Sequence, residues 1–385
     1  MTLRDRVAVA GVGRTELSKN SGVSTLTLAL RAIRAALDDA GLSLRDVDGV
    51  ATHGVGDSAP APVVAAALGI RDVAFMLNQS GGGGLSATVV GYAAAAIATG
   101  QAEVVVCWRA INARSEFRMG GTGRDAPPLA EFQYQVPYGY LAPPQQFAML
   151  ARELLDGGAL DERVLGTVSV TQRANAARNP RAMLRTPLSL DDYLASPWVV
   201  EPLRLLDCCL ETDAAVALVL TSAARARDLA RPPVLIRAFA TGGGDTLYST
   251  RRTTLAPSAA ALMAPRLFGA AGLRPEDIDV AELYDAFTPL VPLQLEDYGL
   301  CPPGGAAEFI LAGQTAIGGR LPVNTHGGHL SEGYVHGLNH VAEAVDQLRG
   351  DAGDRQVAGA RTALVSAQPG YVGGVTSALI LGGSR

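Results

Sequence analysis

Four cysteines in 385 residues set the first limit on this chain. Cys107, Cys208, Cys209 and Cys301 show no paired metal-ligand spacing, so a zinc site of its own is not expected. Reduced, mostly buried thiols in a cytoplasmic protein are the expected state. Aromatic residues make up only 5% of the chain against 48% hydrophobic overall, and Ala, Val, Leu and Gly dominate. That mixture excludes a disordered or fibrous protein and suits buried helices and parallel strands. Net charge is −5 with acids and bases interspersed. Without a basic stripe, nucleic acid is not an expected partner. No apolar run reaches ~18–20 residues free of glycine or charge, so no membrane span is expected. The opening MTLRDRVAVAGVGRTE lacks the apolar core of a secretion signal and enters a strand almost at once. "GGTGRDAPP" (120–128) has neither the lysine nor the Ser/Thr of a phosphate loop. Ser80 and Ser86 have no evident His–Asp pair to activate them.

What the chain does contain is a repeat. "ALDDAGLSLRDVDGVATHG" (36–54) reads like "LFGAAGLRPEDIDVAELYD" (267–285). In both, a helix ends at Ala-Gly-Leu, an acidic turn follows and a β-branched strand begins. "GGLSATVVGYAAAAIATG" (83–100) is echoed by "GHLSEGYVHGLNHVAEAVDQLRG" (328–350), and the strands "AEVVVCW" (102–108) and "RTALVSA" (361–367) come next. Equal order at nearly constant offset marks a duplication. Alternating strands and helices point to α/β halves with mostly parallel sheets covered on both faces. The halves are placed at 1–232 and 233–385. A polar, proline-rich segment, about 112–206, is inserted in the first, either packing over that half or capping a substrate cleft.

The most pointed feature is "NQSGGGGLSA", four glycines immediately before a small-residue helix. Such a helix start normally presents a nucleophile or its own backbone N–H groups. Here no side chain is presented.

Together these features resemble the thiolase superfamily, and most closely its sterol-carrier and lipid-transfer branch. The resemblance covers essentially the whole chain. It implies the thiolase fold: two pseudo-repeated βαβαβαββ halves in a five-layered αβαβα arrangement, each half supplying a buried helix, here starting near Leu85 and Gly337. "LNQSGGGGLSA" is similar to the family's nucleophile loop, whose cysteine falls at Gly81. "EGYVHG" is similar to its Gly-His-Pro loop, with Tyr334 at the histidine. "YDAF" stands where the family has Asn-Glu-Ala-Phe or His-Asp-Cys-Phe, with Tyr284 and Asp285 leading. The second family cysteine falls near Ser366. Every residue that thiolysis needs is thus replaced, and without a thiolate no acyl-enzyme can form.

Two replacements are tyrosines, each in its own family loop. That pair resembles the actinobacterial steroid side-chain aldolases, thiolase-fold lipid-transfer proteins. The resemblance implies retro-aldol cleavage of a β-hydroxyacyl-CoA, giving a ketone such as androstenedione and propionyl-CoA. A retro-aldol step transfers no acyl group, so an empty Gly81 is compatible with it. What it requires is an acceptor for the β-hydroxyl proton, stabilisation of an enolate oxygen and a donor to Cα. Tyr284 and Tyr334 are the expected acid–base pair, with Tyr284 as base. Asp285, His329 and His336, together with His326 and His340, are candidates for a proton relay. Gly81 and Gly82 are expected to approach the acyl-CoA, and Arg251 and Arg252 to pair with its phosphates. No resident cofactor or metal is expected in this chain. The family further implies a homodimer, paired through the edge of "AEVVVCW", and a small zinc-ribbon/OB-fold partner, sometimes fused to a hydratase, which would hold any zinc. Plainer roles stay open: Tyr334 as a structural residue in a glycine loop, Tyr284 as a rim aromatic, Asp285 as a cap, His329 and His336 as loop residues. A non-catalytic acyl-CoA or sterol carrier, or a scaffold subunit, would use the same fold without the chemistry.

Overall fold

The computed structural model describes residues 3–116, 118, 120, 133–158, 160–243, 254–369 and 374–384. The first half runs β1 (Val7–Arg14), α1 (Thr25–Ala40), β2 (Gly49–Gly54), α2 (Ala61–Leu68), β3 (Phe75–Ser80), α3 (Ser86–Ala98) and β4 (Val104–Asn112). The inserted segment contributes α4 (Pro143–Asp156), α5 (Glu162–Ala177), α6 (Leu190–Leu194) and the small hairpin β5 (Trp198–Val200) and β6 (Leu203–Arg204). The half closes with β7 (Asp213–Ser222) and the turn-like α7 (Ala223–Ala226). The second half runs β8 (Val234–Gly243), α8 (Ala259–Ala271), β9 (Val280–Glu282), α9 (Leu290–Asp297), α10 (Ala306–Leu311), α11 (Gly328–Ser331), α12 (Leu338–Arg349), β10 (Thr362–Ser366) and β11 (Val375–Gly383).

The duplication is visible in local structure. α1 ends on Gly41 and α8 on Gly272, both left-handed at φ 71° and 66°. Each leads through one 3-10 turn into the next strand. A residue with a Cβ is disfavoured at such a helix end, which is why both copies read Ala-Gly-Leu.

Nine strands order as β3-β2-β4-β7-β1-β8-β11-β10-β9. Read outward from the β1–β8 seam, the two sides correspond: β1 to β8, β7 to β11, β4 to β10, β2 to β9. The counterpart of β3 survives only as a parallel bridge between Ala281 and Val323. The expectation of mostly parallel halves holds for every strand of a half but its last, which makes the sheet mixed. β2 pairs in parallel with β3 and β4, and β9 with β10, whereas β7 and β11 enter antiparallel to their neighbours. The cause is connectivity. In the second half β11 follows β10 without another helix, so its direction is reversed; in the first half the whole inserted segment stands in place of that loop and β7 returns in the same reversed sense.

α3 packs on strands of both halves, as does α12, while α1 and α2 cover the outer face of the first half and α8 that of the second. The result is five layers. α3 is buried on nearly every side, and its sequence SATVVGYAAAAIA is almost entirely small. Gly91 is required there, because a Cβ would fall 2.2 Å from the ring of Phe239. Close layers of small residues account for the scarcity of aromatics. The Val and Leu side chains buried between them each contribute roughly 1.5–3 kcal/mol.

One expectation about assembly is corrected. "AEVVVCW" is β4, hydrogen-bonded to β2 on one side and β7 on the other, so it has no free edge. The open edge of the first half is β3, whose residues alternate half-buried and exposed.

Candidate active site

The tyrosines come from two loops of the second half and meet. Tyr284 follows β9 and Tyr334 lies between α11 and α12, and their hydroxyls are 2.7 Å apart, with both side chains buried. Both backbones are clamped. The Tyr284 N–H donates to Ser366 Oγ (2.9 Å), Ser366 Oγ donates to Gln294 Oε1 (2.5 Å), and Gln294 Nε2 donates to the Tyr284 carbonyl (2.7 Å). Thr212 makes the second clamp alone: its Oγ1 accepts from the Tyr334 N–H (2.9 Å) and donates to the Tyr334 carbonyl (2.8 Å). Ser366, at the position of the family's second cysteine, is therefore a pin for Tyr284.

Burial pushes both phenols well above their ordinary value; the hydrogen bond between them and the nearby Arg109 cation pull Tyr284 back in part. Both tyrosines are thus neutral at rest.

The glycine run explains itself once Tyr284 is in place. A Cβ on Gly83 would fall 2.1 Å from the Tyr284 hydroxyl. The space these glycines free at the helix start is taken at Gly83 by a tyrosine from the other half. Gly81 has φ 149°, a conformation that disfavours any side chain, and a Cβ there would also have to displace the Leu85 tip at 2.3 Å. Gly81→Cys is accordingly expected to give a less stable protein with no CoA-dependent thiolysis, because Tyr334 replaces the histidine that would activate a thiol. Thermal melting and a thiolysis assay on that variant check both halves, and measurable thiolysis would be the contrary result.

Asp285 lies below the tyrosines. Its carboxylate accepts from the backbone N–H groups of His329 (2.9 Å) and Leu330 (3.3 Å) and sits 3.1 Å from His340 Nε2. It caps the start of α11, and in that respect the capping alternative describes it. From it a buried chain continues: His340 Nδ1 is 3.0 Å from His326 Nε2, and His326 Nδ1 is 2.9 Å from Glu282 Oε2. His329 meets both tyrosine rings edge-on, at centroid distances of 4.8 and 4.7 Å, and stacks on His340 at 4.1 Å. Its Nε2 lies 3.2 Å from Asn339 Oδ1. Two sets of three donors, Glu282–His326–His340 and Asp285–His329–His340, each lie within 4.8 Å. Neighbours already engage them: Thr325 donates to Glu282 (2.8 Å) and the α11 backbone to Asp285, which suits a proton-sharing chain.

His336 sits apart from that chain. Its Nδ1 accepts from Arg109 Nε at 2.9 Å, and Arg109, fully buried in β4, also holds the buried Asp57 in a short contact. His53 Nδ1 lies 3.2 Å from the Gly81 carbonyl, and its ring is 5.9 Å from His336. A Cβ on Gly82 would lie 3.9 Å from His336 Nε2. Gly81 and Gly82 thus border the same space as His336. Arg251 and Arg252 lie outside the described residues.

Of the residues expected from sequence, the structure brings together Tyr284, Tyr334, His329, Asp285, His326 and His340, with His336 on the neighbouring wall. Arg109, Asp57, Thr212, Gln294 and Asn339 were not anticipated. Arg109 alone carried a signal, as a charge inside an otherwise apolar strand. The insertion also belongs to the site. Phe147 and Leu150 of α4 join the apolar cluster containing both tyrosines, and Phe147 stacks on Phe287 at 4.6 Å. Just past α5, Asn179 Nδ2 donates to the His326 carbonyl (2.9 Å) and to Glu332 (2.9 Å). These contacts set α4 and the end of α5 against the loops that carry the tyrosines and histidines.

Cys208 and Cys209, both half-buried, pack against the cluster that holds the tyrosines, while Cys107 lies in the core. Burial raises the thiols of Cys107 and Cys209, and Cys208 and Cys301 are pushed up to about 12 and about 11 by burial and nearby carboxylates, so all four rest as thiols.

The buried histidines make stability depend on pH. Burial, then the Arg109 charge, lowers His53 to about 3. Burial also lowers His329, His336 and His340 well below their ordinary value. The folded state therefore refuses protons that the unfolded chain accepts below about 6.5, and stability falls as pH drops through that value. His326 behaves oppositely. Burial would lower it, but Glu332 and Glu282 raise it to about 9, so its contribution is complete below about 6.5 and lost as pH rises through 9. A melting temperature highest near neutrality, with four histidines driving the acid limb and His326 the alkaline one, is the expected profile. A melting temperature flat from about pH 5 to about pH 9 would contradict it.

A two-half α/β fold with its site at the meeting of two central helices defines a thiolase-like protein. Residues 242–383 match the family described as Thiolase C-terminal domain-like. The chain is 44% identical over 99% of its length to the whole of a 17-hydroxy-3-oxo-4-pregnene-20-carboxyl-CoA lyase of Mycobacterium tuberculosis. It is 44% identical over 98% of its length to 98% of a steroid side-chain-cleaving aldolase of Thermomonospora curvata. The solved Ltp2-ChsH2(DUF35) aldolase superposes over all of both chains with a TM-score of 0.93 at 43% identity. The chain belongs to the family of thiolase-fold steroid side-chain-cleaving aldolases.

No helix among the described residues is long and apolar enough to cross a membrane.

Proposed function

We propose that this chain cleaves a β-hydroxyacyl-CoA with a steroid-type side chain by a retro-aldol reaction, releasing a ketone such as androstenedione and propionyl-CoA. The observation that carries this is the buried hydroxyl pair of Tyr284 and Tyr334, the second at the place of the family's histidine, beside a nucleophile loop that carries glycine in place of the thiol. The β-hydroxyl proton passes to Tyr284 Oη as the Cα–Cβ bond breaks. Tyr284 hands its own proton to Tyr334 across 2.7 Å. Tyr334 delivers its proton to Cα. The electrons of the broken bond pass through the thioester enolate and return to Cα with that proton. No phenolate need persist, which suits two phenols whose ionisation burial opposes. Asp285, His329 and His340 hold the two loops in register beneath the pair.

The substrate class follows the names of the relatives, as does a partner subunit, since the related solved aldolase is named for two components. A small zinc-ribbon/OB-fold protein, possibly part of a hydratase, is the partner we propose, with any zinc held there. We also propose a cytoplasmic homodimer paired along β3, consistent with its open edge.

The test is to incubate the purified chain, alone and with the partner, with a 17-hydroxy steroid β-hydroxyacyl-CoA and to follow propionyl-CoA and the ketone by mass spectrometry. Equimolar products support cleavage. Tight binding without products under both conditions would assign the chain a carrier role.

A further inference from the structure

We infer that Arg109 is a positioning residue that keeps His336 a neutral imidazole with its proton on Nε2, and that this N–H donates to the enolate oxygen formed in the cleavage proposed above, on which reading the second half of the inference rests. Arg109 Nε lies 2.9 Å from His336 Nδ1. A guanidinium has only donors and does not lose its proton in a protein. Nδ1 must therefore carry the lone pair, and the single ring proton of the neutral form is on Nε2. The imidazolium has no lone pair for Arg109 and would face a like charge across one hydrogen bond.

The surroundings keep this geometry in place. Asp57, fully buried, balances the guanidinium and is itself held by the Val55 N–H at 3.0 Å. His336 has φ 50°, a left-handed backbone conformation unfavourable for a non-glycine residue, and Gly337 beside it is also left-handed at φ 89°. That conformation points the ring at a defined target. Nε2 faces Gly82, and the His336 ring lies 5.0 Å from that of Tyr334. Nε2–H and the tyrosine hydroxyls therefore border one space.

When the Cα–Cβ bond breaks, its electrons develop charge on the thioester oxygen, and a donor fixed in advance costs no reorganisation at that moment. A neutral imidazole stabilises the oxygen without surrendering its proton, so the proton for Cα still comes from the tyrosines and the balance closes.

The experiment is nitrogen-15 NMR of histidine-labelled full-length protein, with His336→Gln assigning the signal, together with steady-state kinetics. The wild-type His336 ring is expected to show hydrogen on Nε2 only, unchanged from about pH 5.5 to about pH 9. In Arg109→Gln the ring is expected to sample both tautomers and to take up a proton near its ordinary value of about 6.5. The groups facing it there are Asp57, His53, His329 and Tyr334, and the unpaired Asp57 favours that protonation. Turnover is expected to fall about 10²–10³-fold, more than KM changes, with a new acid limb in the pH profile. A glutamine at 336 has an amide N–H that needs no tautomer fixed, so Arg109→Gln is expected to cost little more in that background. Should Arg109→Gln fail to fold around the unpaired carboxylate, Asp57→Asn/Arg109→Gln removes both charges and carries the same readouts. Hydrogen on Nδ1 in the wild type, an unchanged tautomer in the Arg109 variants, or simply additive losses would overturn the assignment. A wild type that cleaves nothing would remove the enolate role and the proposed function, while the NMR result would still decide what Arg109 does to His336.

Discussion

Replacing either Tyr284 or Tyr334 with phenylalanine is expected to lower turnover on a cleavable β-hydroxyacyl-CoA by about 10²–10⁴-fold. Phenylalanine keeps the ring and its edge contacts with His329, so the loops stay where they are. What disappears is one hydroxyl of a 2.7 Å pair, and with it one link of the proton path. The two residues act as a unit, so the double variant is expected to be no slower than the worse single variant. The remaining hydroxyl loses its partner in a buried pocket, a stability cost of about 1–3 kcal/mol that the double variant avoids. Turnover, KM and melting temperature on all three variants make the comparison. Near-normal turnover in both single variants, with folding intact, would remove the tyrosine pair from the chemistry.

Much of this arrangement was legible in sequence because it is local. Ala-Gly-Leu at two helix ends, the small-residue helix after the glycines and the two tyrosines in matching loops are all short-range patterns, and each places an element correctly. What could not be read is long-range. Arg109 sits in a strand whose other residues read as ordinary core, and its meaning depends on His336, 227 positions away. Thr212 reads as an ordinary strand-end hydroxyl, and Ser366 only as the place of the family's second cysteine, until each is seen bridging a tyrosine's backbone, 122 and 82 positions distant. The reversal of the last strand in each half was illegible for a related reason. Parallel and antiparallel neighbours carry the same buried β-branched pattern when both faces are covered, so β7 and β11 gave no sign of it. The free edge at β4 came from the family resemblance, and the pairing of β4 with both β2 and β7 overturns it.

The glycine run supports the second large effect, which falls on Gly83. A Cβ there would lie 2.1 Å from the Tyr284 hydroxyl, 2.4 Å from Cζ and 2.6 Å from Cε2, and none of these is the end of a flexible chain. The Tyr284 backbone cannot retreat, because Ser366 and Gln294 hold it on both sides. Gly83→Ala must therefore tilt the phenol away from Tyr334 or push back the start of α3. A displacement of about 1 Å at reacting groups costs about 10²-fold in rate, and overpacking of this kind costs about 1–3 kcal/mol. Both losses are expected in Gly83→Ala. Adding Tyr284→Phe removes the oxygen that clashes first, so it is expected to return part of the stability and none of the activity. That opposite response separates a steric conflict with Tyr284 from general damage to the helix start. If Gly83→Ala turns over within twofold of the wild type, the glycine is not there to admit the tyrosine, and the account of the empty nucleophile loop given by this geometry fails.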